Sequence, residues 1–357
     1  MPAENGKTLP LGLHLREKTI LRQGYWYQII TLLCNFNFCG FHAFRLLYGP
    51  LRLILKCALI PHSLHMKPYT IGKMMNSNWF PKHMRTSEAL LRKNLKAADV
   101  IFEILDARIP FCSRDERIDL ITKEKPRIVV LNKCDLSDDE SDRKWVAHYE
   151  KLGAKSVAVS AIRGTGVKKL VKLAHGTRHA NNSKLHGISD RKKAVTAMVV
   201  GIPNVGKSTL INAIAGKKKT KIANKPGVTK VKQRVTTHRQ LELLDTPGIL
   251  WPRESEDTFE SLALIGAVKD ELLDLETLSI SLLAKLINLA PANLGRQYKI
   301  DIHGQAPLEL LERIAMKRGC IRKNKNIDYM RVSRIVLGDF RKGKFGKITL
   351  EMPENDG

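Results

Sequence analysis

Eight consecutive residues constrain this chain more than any other feature: Gly201-Ile-Pro-Asn-Val-Gly206-Lys207-Ser208. Two glycines at this spacing ahead of Lys-Ser form a phosphate-binding loop, which needs a strand before it and a helix after it. Both are legible, because Thr196-Ala-Met-Val-Val200 is an apolar run of strand length and an amphipathic stretch comes after Ser208. The backbone N–H groups of Asn204, Val205, Gly206, Lys207 and Ser208 suit a phosphate at the start of that helix. Lys207 would neutralise β/γ oxygens, the Ser208 hydroxyl would ligate Mg2+, and Thr209 completes the set. A plain Gly-rich turn packing a helix on a sheet would not need the Lys-Ser pair.

Apolar strand-length runs alternate with helical stretches on both sides of this loop. Residues 100–105 lead into Asp106-Ala-Arg-Ile-Pro110, residues 127–131 end in Asn132, residues 156–159 end in Ser160, and residues 240–244 end in Asp245. Short buried strands of this kind predict an α/β, doubly wound parallel sheet, with polar residues at the strand ends where such folds bind ligand. Asp245-Thr-Pro-Gly248 places a carboxylate beside the magnesium shell and a glycine N–H near a γ-phosphate. Thr229 supplies a second hydroxyl for the metal. Asn132-Lys133-Cys134-Asp135 specifies the base, because a carboxylate accepting from guanine N1 and its exocyclic amine leaves adenine unmatched. Asn132 would brace that loop, Lys133 would cover the ring, and Ser160-Ala161 would add a backbone N–H toward the guanine oxygen.

The order of these motifs is inverted. Base-reading residues 132–135 and 160–161 precede the phosphate loop and Thr229 and Asp245, so the chain reads as a circularly permuted P-loop GTPase domain. Spatial convergence is all that binding requires, yet permutation makes Asp245 and Gly248 feed directly into the C-terminal region. Beyond about residue 255 the strand pattern stops, and Leu272, Leu275, Leu278, Leu282, Leu283, Leu286 and Ile287 predict a small all-α C-terminal domain. The boundaries expected are a leader at 1–73, the permuted domain at 74–255 and a helical RNA-binding domain at 256–357. The leader is acid-poor and punctuated by Gln28, Asn35, Asn37, His42, Arg45, Pro50, Arg52 and Lys56. It therefore reads as a transit segment or an overextended start rather than a membrane span.

With these motifs, the chain resembles the YlqF/RbgA family of circularly permuted ribosome-assembly GTPases over about residues 78–351. The residues that carry the resemblance are Trp79-Phe-Pro-Lys-His83-Met84, Asp106-Ala-Arg-Ile-Pro110, the five nucleotide motifs, and Asp328-Tyr-Met-Arg-Val-Ser with Asp339-Phe-Arg-Lys-Gly. The resemblance implies GTP hydrolysis coupled to maturation of the large ribosomal subunit, with the C-terminal domain on ribosomal RNA. It also implies that His83 is the catalytic group that swings toward the γ-phosphate, since Ile249 stands where many GTPases carry a water-orienting Gln. By the same resemblance, Asn204 helps to coordinate K+. Lys82 departs from the family's usual glycine, and the family lacks the leader.

Charge points the same way. The chain holds 61 Lys+Arg against 35 Asp+Glu, a net charge of +26, which predicts a polyanionic partner. One cluster runs through 217–234, and a second includes Lys323, Arg331, Arg334, Arg341, Lys342 and Lys344. Solvated helix faces would explain a single run; two clusters bracketing a helical domain predict RNA. Tyr329, Phe340 and Phe345 read as packing residues rather than base platforms. The partners expected are GTP/GDP and a large-subunit precursor with its rRNA, bound by a monomer without membrane association. The location expected is the cytoplasm, or the mitochondrial matrix if the leader is a transit segment. A constitutive GTP-binding RNA scaffold is the rival reading, and a membrane-tethered GTPase rests only on the leader.

Overall fold

The computed structural model describes residues 82–122, 125–182, 194–216, 233–236, 240–250 and 255–353, which belong to one compact unit, Thr70–Gly357. Residues 1–73, Trp79, Thr229 and the basic residues 217–232 lie outside the described residues.

The sheet contains β1 (Val100–Asp106), β2 (Arg127–Asn132), β3 (Lys155–Val159), β4 (Val195–Val200), β5 (Gln233–Thr236) and β6 (Leu241–Asp245), in the order β3-β2-β1-β4-β6-β5. Five of these strands run parallel; β5 pairs antiparallel with β6 at the edge. The fold is the doubly wound one, with one strand more than the apolar runs disclose. Strands β1 and β4 are buried along their whole length, which requires cover on both faces. Alternation divides the cover: Val100, Phe102 and Ile104 pack on one face, while Ile101 and Leu105 point to the other. Helices α1 (Lys82–Leu95), α2 (Glu116–Thr122) and α3 (Asp139–Lys151) supply Leu91, Ile118, Trp145 and Tyr149 to that second face. Helices α4 (Val167–Asn182) and α5 (Lys207–Ala215) cover the first with Leu170, Leu210 and Ile211.

Strand order fixes where ligand can enter. From β1 the chain steps through β2 to β3 in one direction, and from β4 it steps to β6 in the other. The carboxyl ends of β1 and β4 therefore flank the topological switch point, the crevice where such sheets bind ligand.

Among the described residues, five helices come after the sheet: α6 (Glu256–Leu264), α7 (Leu275–Leu289), α8 (Pro291–Tyr298), α9 (Pro307–Lys317) and α10 (Tyr329–Arg341). Ser255, Asp274 and Asp328 cap α6, α7 and α10 through side-chain oxygens that accept first-turn N–H groups. Leu278, Leu282, Leu283 and Leu286 of α7 meet Leu310, Leu311 and Ile314 of α9 and Val332, Val336 and Phe340 of α10. Each such burial contributes about 1.5–3 kcal/mol. Leu272 is a departure from the expected stripe, because it ends a short 3-10 turn and is 40% exposed. Among the described residues, no single helix is long and apolar enough to cross a membrane.

Residues 348–351 return to the loops at the edge of the sheet. Ile348 N–H donates to Leu136 O at 2.9 Å, Leu350 N–H to Arg108 O at 2.8 Å, and Trp145 Nε1 to Glu351 O at 3.0 Å. This strap ties the helical region to the loops after β1 and β2, beside the crevice.

Candidate functional site

The phosphate-loop motif leaves β4 at Gly201, whose φ of +147° and 2.5 Å approach of a notional Cβ to the Ile104 carbonyl oxygen exclude any side chain. Gly206 precedes α5 without a side-chain cap, so the first-turn N–H groups of α5 receive none from it. Lys207 is buried, with Nζ donating to Gly201 O at 3.0 Å and Ile202 O at 2.8 Å. Burial pushes its pKa down to about 8, against the opposing charge of Asp245.

Asp245 ends β6 next to this loop. Its Oδ2 accepts from Ser208 Oγ at 3.4 Å, and its Oδ1 is buried with no hydrogen-bond partner among the described residues. Burial raises the carboxyl's pKa, and Lys207 opposes that rise. A buried carboxylate oxygen without a donor, beside a hydroxyl, is a donor set suited to a hard cation. Gly248 packs so closely that an added Cβ would lie 2.8 Å from Lys207 Nζ and 2.9 Å from Pro203 N. Ile249 is 2% exposed and packs in the apolar layer with Leu91 and Met198.

Asn132, at the head of the stretch expected to read the base, meets the same loop. Asn132 Nδ2 donates to Val205 O at 2.7 Å, and Asn132 Oδ1 accepts from Ala161 N–H at 3.1 Å. One buried side chain thus bridges three segments that are far apart in sequence. Ser160 pairs with Thr165 in an antiparallel bridge, and its Oγ accepts from Arg163 N–H at 3.2 Å. Lys133 has a φ of 65° and its Nζ lies 2.8 Å from Asp106 Oδ2. Asp135 is half-buried on the same loop. Asp106 carries no signal in sequence beyond its place in a motif, yet it is wholly buried here between Lys133 and Arg108.

Among curated proteins, ribosome biogenesis GTPase A of Bacillus cereus is 39% identical over 280 residues, spanning 78% of this chain and 95% of its own length. The chain belongs to the YlqF/RbgA family, the ribosome biogenesis GTPases A. The profile of the 50S ribosome-binding GTPase family matches residues 196–293. GNP-bound YlqF of T. maritima superposes with a TM-score of 0.53 at 27% identity, covering 75% of this chain and 99% of that one. Mitochondrial ribosome-associated GTPase 1 of Ictalurus punctatus is 30% identical over 306 residues, 79% of this chain and 95% of its own.

In this YlqF/RbgA GTPase, the remaining candidates are scattered. His83 is the second residue of α1; its side chain lies outside the described residues, as does Thr229. Asn204, at a φ of 63°, donates from Nδ2 to Gly266 O in the turn after α6. Lys323, Arg331, Arg334, Lys342 and Lys344 are exposed. All but Lys323 line a concavity of about 700 Å³ with Arg318. The buried Asp339 also lines it, accepting from Tyr298 OH at 3.2 Å and holding Lys344 Nζ at 2.8 Å. Arg341 departs from the expected RNA surface. Its guanidinium faces inward, donating to Leu264 O at 3.0 Å, Ala263 O at 2.8 Å and Asp270 at 3.0 Å, so it locks α10 to the end of α6.

Proposed function

We propose that the chain binds GTP at the crevice between β1 and β4 and hydrolyses it to time a late step of large ribosomal subunit assembly. The observation that carries this is the meeting at one loop of Asn132, Ser208 and Asp245, three motifs in inverted order. Asp135 reads guanine by accepting from N1 and the exocyclic amine, and backbone amides from Asn204 to Thr209 take the phosphates with Lys207. Ser208, Asp245 and Thr229 would hold Mg2+, which offsets charge on the β and γ oxygens. The Asn204 amide oxygen is suited to K+, whose fixed charge would favour the leaving group. The buried Ile249 cannot orient water, which leaves that role to His83 in this reading.

The region 256–357 serves as the RNA-binding domain, with the concavity on α10 presenting Arg331, Arg334, Lys342 and Lys344 to phosphates. Because only a few residues of chain separate Gly248 from α6, the nucleotide state biases how that basic surface is offered. The site of action is the cytoplasm in this reading. The mitochondrial matrix is the alternative, supported by the acid-poor leader and by relatives named as mitochondrial. The N-terminal sequence of the native protein decides between them, since a transit segment is removed. GTP turnover measured in potassium buffer with and without large-subunit particles tests the enzyme reading. Stimulation is expected, and none would favour a passive GTP-binding scaffold.

A further inference from the structure

Asp106 is a fully buried carboxylate that is hydrogen-bonded on both oxygens. Its Oδ1 accepts from Arg108 Nε at 2.9 Å and from the Arg108 backbone N–H at 3.1 Å, and its Oδ2 accepts from Arg108 NH2 at 2.8 Å. The Asp106 backbone N–H donates to Ser113 Oγ at 3.1 Å. Arg108 is itself 1% exposed, with its guanidinium 5.3 Å from the Phe340 ring centroid. Burial works to raise the Asp106 pKa, but Arg108 and Lys133 outweigh it and hold the carboxyl well below the usual carboxylate range.

Lys133 also pairs with this carboxylate. Its left-handed backbone sends the side chain past the phosphate loop, where a Cβ on Gly206 would lie 4.0 Å from Lys133 Cε and 2.4 Å from Asn132 Nδ2. The aliphatic stem therefore lies against the last glycine of the loop, and its far end is tethered 2.8 Å from Asp106. An untethered lysine would lose side-chain entropy on closing over a ligand; a tethered one has already lost it.

We propose that Asp106 is a positioning residue for guanine nucleotides, holding the Lys133 ammonium so that the lysine stem is a preset wall of the base pocket. This rests on the reading of residues 132–135 as the base loop. GTP and GDP share the base, so both gain equally. The competing account is that the ion pair only braces the ends of β1 and β2; it predicts lower stability with unchanged GDP affinity in Asp106→Asn, and the double variant checks that any affinity loss runs through Lys133.

Fluorescent GDP is titrated into the full-length protein and into Asp106→Asn, Lys133→Met and the double variant, with thermal unfolding recorded for each. Asp106→Asn and Lys133→Met are each expected to weaken binding about three- to tenfold. The double variant is expected to bind no more weakly than Lys133→Met alone. An unchanged affinity in Asp106→Asn, or the same further loss in the Lys133→Met background, would overturn the proposal. Because Asp106→Asn loosens Arg108 and can unfold the protein, amine acetylation of the unsubstituted, nucleotide-free protein reads the same tether. Lys133 should be protected relative to Lys144, whose side chain is 51% exposed, and equal reactivity would count against the tether. Asp135→Asn is measured in parallel for xanthine nucleotide binding. A shift toward xanthine with normal GDP binding by Asp106→Asn overturns the positioning role alone; no shift overturns the base-loop reading and this proposal with it.

Discussion

Replacing Asn132 by alanine tests the junction on which the proposed nucleotide site depends. The side chain is 1% exposed and makes two hydrogen bonds, to Val205 O at 2.7 Å and from Ala161 N–H at 3.1 Å. Each contributes a net ~1 kcal/mol, so the loss is about 2 kcal/mol if water reaches the stranded groups. It rises toward ~4 kcal/mol if the Val205 carbonyl and the Ala161 amide stay dry. Urea unfolding monitored through tryptophan fluorescence, to which Trp145 on α3 contributes from a buried position, reads the stability change. The denaturant midpoint should fall with an unchanged slope. Because the phosphate and base loops then lose their common brace, GDP affinity should fall by at least about tenfold, the equivalent of 1.4 kcal/mol. A stability change under about 0.5 kcal/mol together with normal GDP affinity would refute the idea that Asn132 joins the two loops.

Asp135→Asn should weaken GTP binding and admit xanthine nucleotides, as read by competition against labelled GDP; an unsubstituted protein that binds ATP as tightly as GTP contradicts the base reading. Lys207 has its pKa pushed down to about 8 by burial, and a bound phosphate would raise it again. The lysine's share of GDP affinity should then be complete below about pH 8 and fade as pH rises through that value, with no such fade in Lys207→Gln. Charge reversal at Arg331, Arg334 and Lys342 should weaken binding to large-subunit precursors in both nucleotide states and flatten its salt dependence; an unchanged salt slope would remove the α10 concavity from the RNA surface.

The parallel strands are legible because cover on both faces leaves them mostly apolar, broken only by single polar residues such as Glu103 in β1 and Glu242 in β6. Strand β5 is not, since Gln233-Arg-Val-Thr236 is four residues long at a sheet edge, and only Val235 carries an apolar signal. The motifs around Gly206 and Asp135 stand out by their spacing alone, and Asn132 joins the two stretches through its bond to Val205 O. Asp106 does not, because its partner Arg108 is close by in sequence while Lys133 reaches it only through the pairing of β1 with β2. Arg341 misleads for a related reason: charge in a basic run does not reveal that the acceptors are the backbone carbonyls of Ala263 and Leu264.

In the proposed cycle, GTP sets how firmly the protein stays on the particle. The most direct test is the affinity of the full-length protein for large-subunit precursors, measured at one salt concentration with a non-hydrolysable GTP analogue and with GDP. Tighter binding in the analogue state is expected, by the ~1–3 kcal/mol typical of coupled sites. His83→Ala should keep nucleotide affinity and lengthen residence on the particle in the presence of GTP. Equal affinity in the two nucleotide states would contradict the timing role and leave only the nucleotide site.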